Sequence, residues 1–433
     1  MTVAQPRFTP AVGQELGFRP GAPTSLAETG LDIGILAPLA LKLIYYATNI
    51  DERSIGRRLA LAHSVTTELL QFLRREGLCE VTGGVEGALG ASRYALTGRG
   101  MERAVEALDV SGYVGPAPVP LEAYVEQVRR QSVFDAVISP DQIERGLAHL
   151  VLAPGTRDLI GQAITSKRAA LLYGKSGNGK TSAALGVAQA VEGEILIPHA
   201  IEVMREIVQL YDASVHTVVE PAGLSRTNGA ALVDQRWLVI KRPTVFAAGE
   251  LAKNQLDLML DEVHKTYAAP IQLKANGGVL IVDDFGRQRL DAAYLLNRWI
   301  TPLEQSIDYL ALHSGARFEV PFDTIPVFVS NRAPEELADD AFLRRIRYKI
   351  EVTSPDEAQF AEIMRRECRR LGVAYREEAA RHLVEEHFRG KRELRGCHPR
   401  DVVETIADAA RYKGLEPDLT PAAIDAACRD CLT

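Results

Sequence analysis

The stretch Gly174-Lys-Ser-Gly-Asn-Gly-Lys180-Thr181 constrains this chain more than any other. It follows the apolar run Ala169-Ala-Leu-Leu-Tyr173 and precedes Ser182-Ala-Ala-Leu-Gly-Val-Ala-Gln-Ala190. A strand must therefore end and a helix begin within a few residues, with a glycine-rich turn between them. Such a turn is a phosphate cradle. Gly174, Gly177 and Gly179 let the backbone N–H groups of the loop, those of Ser176 and Asn178 among them, converge on phosphate oxygens. The helix opening through Ser182 adds a partial positive charge. Lys180 is placed to reach the β- and γ-phosphates, and the Thr181 hydroxyl to hold Mg²⁺. The loop implies a bound nucleoside triphosphate.

With 433 residues the chain has room for two or three domains. An apolar fraction of 46% and a charged fraction of 25% are ordinary for a globular protein. No apolar run is long enough to span a bilayer and no secretory pattern opens the sequence, so a cytoplasmic protein is expected. Fifty Lys and Arg against 57 Asp and Glu give a net charge of −7, which excludes the whole chain as an electrostatic binder of nucleic acid. The five cysteines (Cys79, Cys368, Cys397, Cys428, Cys431) form no disulfide framework and read as reduced thiols. Cys428-Arg-Asp-Cys431 and Cys397-His398 are too sparse to assign a zinc site.

Composition and periodicity divide the chain into five stretches. Residues 1–30, with scattered Pro and Gly, read as a disordered tail. Residues 31–113 show three helical periods, two short strands about a Gly-rich loop from Gly83 to Gly90, and a closing helix, an order that resembles a winged helix-turn-helix domain. Were it to read DNA, its third helix would offer Glu68, Gln71, Arg74 and Arg75, and its wing Arg93. This stretch holds nine Lys and Arg against ten Asp and Glu. Phosphate contacts dominate DNA affinity, so docking of a protein is favoured over docking of DNA. Residues 114–133 are a Pro-rich linker and a helix, leading into the two remaining stretches, 134–350 and 351–433.

Further polar residues sit where strands end. Gly277-Gly-Val-Leu-Ile-Val-Asp283-Asp284 is a buried-strand run closing on two carboxylates; Asp283 would hold Mg²⁺ and Asp284 would polarise the attacking water. The strand Ile325-Pro-Val-Phe-Val-Ser330 ends at Asn331, placed to position that water beside the γ-phosphate. Arg344 and Arg345 put two guanidinium groups side by side, and Arg400 opens a later helix. The run Arg236-Trp-Leu-Val-Ile-Lys-Arg-Pro-Thr-Val-Phe246 reads as strand, Pro-containing turn and strand, a candidate hairpin.

From residue 134 onward this order resembles the AAA+ ATPases. Residues 174–181 match that family's Walker A motif and 279–284 its Walker B motif. Asn331 falls at the sensor 1 position, Arg344 and Arg345 in the arginine-finger segment, and Arg400 in a segment similar to sensor 2. The stretches around Lys274, Leu295 and Gly315 look like the branch with MoxR proteins, Lon proteases and enhancer-binding activators, which carry hairpins that grip a substrate. The resemblance implies an α/β P-loop NTPase, with a core built on a parallel five-stranded sheet over residues 134–350 and a helical lid over 351–433, using ATP and Mg²⁺. It also implies a homo-oligomeric ring, usually a hexamer, in which the arginine finger completes a neighbour's site. The family has Asp-Glu where this chain has Asp283-Asp284, so the water-activating carboxylate is one methylene short. The function implied is ATP-driven remodelling of a protein client, recruited directly or through an adaptor by the winged helix. A DNA-associated ATPase for transposition, replication or regulation, and a slow-cycling nucleotide switch or scaffold, are the alternatives.

Overall fold

Five short apolar runs, rich in Val, Ile and Leu, assemble the central sheet of the computed structural model, which describes residues 19–83, 92–219, 233–337 and 343–431. They are β1 (Ala170–Tyr173), β2 (Thr244–Ala247), β3 (Gly278–Val282), β4 (Thr324–Ser330) and β5 (Tyr348–Glu351). Their order is β2-β3-β4-β1-β5, and every pairing is parallel. The central strands β3 and β4 are buried along their whole length, as a strand covered on both faces must be. Val279, Ile281, Val327 and Val329 face one core with the helices Pro154–Ser166 and Lys180–Ala190. Leu280, Val282 and Phe328 face the other, around Trp299 and Leu295.

The chain leaves β1 for the far edge, returns strand by strand to β4, then steps across β1 to β5. The carboxyl end of β1 is thus the point where strand order reverses, where an open α/β sheet leaves a crevice for a ligand. The glycine-rich loop lies there.

A second, β-rich part is built mostly from chain inserted between the core strands, with one strand from before β1. One sheet has the order Met259–Asp261, Thr266–Ala268, Glu206–Gln209, Ala200–Val203, Val119–Pro120. Here one expectation fails. The two strands around Pro243 do not form a hairpin: Trp237–Lys241 pairs antiparallel with Glu194–Pro198, while Thr244–Ala247 is β2 of the core sheet. The backbone switches sheets at the turn because each side has its own anchor. Arg242 N–H donates to Gly193 and the Pro243 carbonyl accepts from Val279 N–H. A true hairpin forms instead from Ile307–Ala311 and Arg317–Pro321, just before β4.

The N-terminal unit has the helices Ile33–Ala47, Glu52–Leu59 and His63–Arg75, the antiparallel strands Cys79–Gly83 and Arg93–Leu96, and the closing helix Gly98–Val110. A two-residue strand, Ile50–Asp51, pairs with Arg93–Leu96 and was too short to see in the sequence. The Gly-rich loop beyond Gly83 lies outside the described residues, as do residues 1–18. Residues 19–30, assigned to a tail, belong to the fold: Pro20 accepts from Asp234 N–H, and Gly21 bridges to Val233. The reason is a buried clasp. Arg236 and Asp234, 6% and 3% exposed, form an ion pair at 2.8 Å. Arg236 also donates to the carbonyls of Thr29 and Pro118, which flank the unit in sequence.

The C-terminal helical unit comprises Glu357–Leu371, Glu377–His382 running into a π turn at Leu383–Phe388, Cys397–Lys413 and Pro421–Cys431. It has its own core of Phe360, Met364, Phe388, Val402 and Ile424. Among the described residues no helix is long and apolar enough to cross a membrane.

Two tests follow from these burials. Arg236→Met leaves Asp234 buried without its partner and should cost about 3–5 kcal/mol. Hydrogen exchange across residues 111–118 should rise in that variant; unchanged protection would refute the clasp. Lys42 is 2% exposed, donates to the Ser111 carbonyl at 2.8 Å, and is pushed by burial from 10.5 to about 8. Its folded pKa lies below its unfolded one, so the buried charge opposes folding at neutral pH and that opposition fades as pH rises past 8. Lys42→Met should therefore stabilise at pH 7, by on the order of 1 kcal/mol once the orphaned carbonyl is counted, and less at pH 10. Equal gains in melting temperature at both pH values would refute this.

Candidate functional site

The site grows from the end of β1. Gly174, Gly177 and Gly179 all have positive φ, at 133°, 86° and 83°, where a side chain would be strained. A Cβ at Gly177 would also stand 2.6 Å from the Cys397 sulfur. The helix Lys180–Ala190 starts at Gly179 with no side-chain cap, leaving its first N–H groups to an incoming anion. They border a cavity of ≈ 420 Å³.

Thr181, in the first turn of that helix, donates its hydroxyl to Asp283 Oδ2 at 2.9 Å. The other Asp283 oxygen accepts from Asp284 N–H at 2.8 Å, and Asp283 N–H bonds Ala247 at the tip of β2. Hydroxyl and carboxylate therefore meet at one point of the cavity, an arrangement that suits a hard divalent cation such as Mg²⁺. Asp284 lines the same cavity, is exposed, and has φ 51°, a left-handed conformation that Asp tolerates better than most residues. Asn331, one residue past β4, is half-buried and lines it too. Lys180 is 6% exposed and donates to the Lys175 carbonyl at 2.8 Å. Burial lowers its pKa, while Asp283 and Asp284 push it back up.

The C-terminal unit closes the opposite wall. Arg400 reaches the cavity, 54% exposed, with a 3.5 Å contact to Asp401. Asn178 turns its side chain away from the cradle: its amide donates to Ser354 at 3.1 Å and its carbonyl accepts from Gly396 N–H at 3.2 Å. Lys175 pairs with Glu393 at 2.6 Å. Of the loop's polar side chains, then, Lys175 and Asn178 latch the helical unit rather than the ligand.

Arg344 and Arg345 do not line this cavity. They precede β5, whose first residue Tyr348 pairs with Ala170, at the end of β1 remote from the loop. Arg344 is exposed, and Arg345 pairs with Glu304 at 2.6 Å. Ser176 to Ser182, Asp283, Asp284, Asn331 and Arg400 all line it, whereas Gly174 sits behind the loop with its Cα face against the Val352 carbonyl, and these two arginines are set apart.

The structure adds Arg366, from helix Glu357–Leu371, which lines the cavity and donates to the Ala148 carbonyl at 2.8 Å. It adds an apolar wall as well, of Leu150, Val151, Leu152 and Ile363. Nothing in the sequence marked them. Arg366 is one of several arginines on an amphipathic helix, and residues 148–152 carry no motif.

Residues 356–430 match a family model described as a domain of unknown function, DUF8689. No curated protein matches the sequence. Among solved structures, the chain is similar to NtrX from Brucella abortus at 15% identity and a TM-score of 0.40, covering 64% of this chain. It spans little more than half of NtrX, 53%. It is also similar to the Thermotoga maritima RuvB Holliday junction branch migration motor (14% identity, TM-score 0.38, 64% of this chain and 70% of that one). A third is domain III of the Thermotoga maritima replication initiation protein DnaA (12% identity, TM-score 0.38, 69% and 100%).

Because Arg366 lines the cavity, its guanidinium held by Glu362 and the Ala148 carbonyl, Arg366→Ala should weaken binding of a fluorescent ATP analogue about tenfold, the worth of one charge-assisted hydrogen bond. Unchanged affinity would remove Arg366 from the site.

Proposed function

We propose that this chain is a Mg-ATP-dependent ATPase of the AAA+ type that works as a ring, usually hexameric in that family, and remodels a protein client. The observation that carries the reading is the meeting of Thr181 and Asp283 at the mouth of the uncapped helix, with Asp284 and Asn331 on the same cavity. In this reading the loop N–H groups and Lys180 hold the phosphates, and Thr181 and Asp283 hold Mg²⁺. Asp284 and Asn331 orient and polarise the attacking water, while Arg366 and Arg400 act from the helical lid. The apolar wall at 150–152 receives the base.

A ring is supported by the position of Arg344. A guanidinium exposed away from its own chain's site is placed to serve a neighbour's. The hairpin of Ile307–Ala311 and Arg317–Pro321, with Tyr309 half-exposed, is the candidate element for moving a client.

Recruitment falls to the N-terminal unit, taken as a winged helix. Two of its five candidate DNA contacts are engaged within the chain: Glu68 accepts from Leu26 N–H, and Arg93 donates to Asn49. An exposed edge-to-face pair, Tyr45 and Tyr46, lies on the same unit. Both favour a protein partner over DNA.

Lys180→Ala should abolish ATP binding. Asp284→Asn should bind ATP yet turn it over about 100-fold more slowly, the usual worth of a positioned base. Wild-type turnover by Asp284→Asn would refute the role given to that carboxylate. ATP-held Asp284→Asn protein should then retain a protein client on isolation from its cell; retained duplex DNA would turn the reading to the DNA-associated alternative.

A further inference from the structure

The helix Glu377–His382 does not simply end; it widens into the π turn Leu383–Phe388. In a regular α-helix, residues five apart stand about 140° around the axis from one another. The i→i+5 turn closes that gap, and such turns collect at functional positions. Here it brings His382 and His387 to the same face, opposite the helix Pro421–Cys431. Nε2 of His382 lies 2.8 Å from Asp425 Oδ1, and Nε2 of His387 lies 2.7 Å from the same oxygen. The three ligand atoms are all within 4.8 Å of one another. The two histidines are 28% and 24% exposed and the aspartate 41%, so the group lies at the surface with a path to solvent.

We propose that His382, His387 and Asp425 bind one divalent transition-metal ion, zinc by the chemistry of the ligands, joining the π turn to the last helix. Two imidazoles and a carboxylate suit zinc, cobalt or nickel, whereas Mg²⁺ and Ca²⁺ select oxygen ligands. Around a tetrahedral ion, with bonds of about 2.0–2.1 Å, ligand atoms stand about 3.3 Å apart. The two spacings to Asp425 need to open by only about 0.6 Å, and the two imidazole nitrogens already lie within 4.8 Å of each other, all within reach of part-exposed side chains. Each Nε2 presents a lone pair to the ion in the tautomer that carries its proton on Nδ1. A water fills the fourth position. The cross-link spans residues 382–425 of the unit that carries Arg366 and Arg400, and so stiffens the frame that positions them. Cys428 and Cys431 are not in the group; burial pushes the Cys428 thiol up to about 12, away from the thiolate that a metal requires.

The test uses full-length protein cleared of metal with a chelator and kept in Mg-ATP, titrated with zinc by calorimetry and with cobalt by absorption. The expected result is one zinc per chain, a raised melting temperature, and a cobalt spectrum lacking the strong thiolate bands of cysteine ligation. His387→Gln and Asp425→Asn, each checked for folding by circular dichroism, should bind at least ten times more weakly, while Cys428→Ser with Cys431→Ser should bind like wild type. Failure of the wild-type chain to bind zinc one to one would overturn the proposal. So would thiolate bands with cobalt, or wild-type affinity in folded His387→Gln.

Discussion

Thr181 and Asp283 come from opposite sides of β4, one from the first turn of the helix after β1 and one from the tip of β3, yet they touch at 2.9 Å. The candidate site is arranged about that contact. It forces the turn after β1 and the tip of β3 to the same height, and this leaves Asn331, at the tip of the intervening β4, facing the cavity between them. The depth of the sheet makes the arrangement rigid. With β3 and β4 wholly buried between two cores, shifting either strand by one residue would send every side chain into the opposite core, whose packing is shaped for other residues. Asp283 cannot drift from Thr181 without dismantling the sheet.

The second structural theme is how polar groups outside the site are used to hold units together. Arg236 and Asp234 are taken from water almost completely, and a buried ion pair is seldom a net stabiliser. Its worth here is directional. A guanidinium that donates to Thr29, Pro118 and Asp234 at once admits one placement of the N-terminal unit, which an apolar contact of equal area would not specify. Lys175 and Asn178 do the same for the C-terminal unit, tying Glu393, Ser354 and Gly396 to the cradle. Loop and helical unit thus share hydrogen bonds, and movement of one is felt by the other.

Local patterns in the sequence carried most of the site, and long-range pairing carried what they did not. Gly174 to Ser182, Asp283, Asp284 and Asn331 are legible because each sits at a strand end beside its own apolar run. The true partner of Trp237–Lys241 lies some forty residues upstream, at Glu194–Pro198, and no local rule selects it over the strand just beyond Pro243. Arg366 is hidden for a similar reason. It gains its place only when the helix Glu357–Leu371 packs across from residues 148–152. The Ile50–Asp51 strand is two residues long and exists because Arg93–Leu96 offers it an edge.

The Asp283-Asp284 pair looks, in the sequence, like a weakened version of a longer carboxylate. The backbone gives it another meaning. Residue 284 turns out of β3 with φ 51°, locked by the Phe285 N–H bond to Val329 and the Arg287 N–H bond to its own carbonyl. Left-handed backbone is several-fold enriched in Asn and Asp, whose short side chains relieve it locally, and glutamate has no such relief. A glutamate at 284 would recover the missing methylene only by straining the turn that ends the strand. The shorter acid is therefore matched to the backbone that presents it, and the deficit in reach falls on the groups around it. Asn331 and Lys180 border the same cavity, and Asp284 already acts on Lys180 through its charge. Under the proposed function, reach lost by the carboxylate would be regained by holding the water nearer to it, a task that would fall to the amide of Asn331 rather than to residue 284.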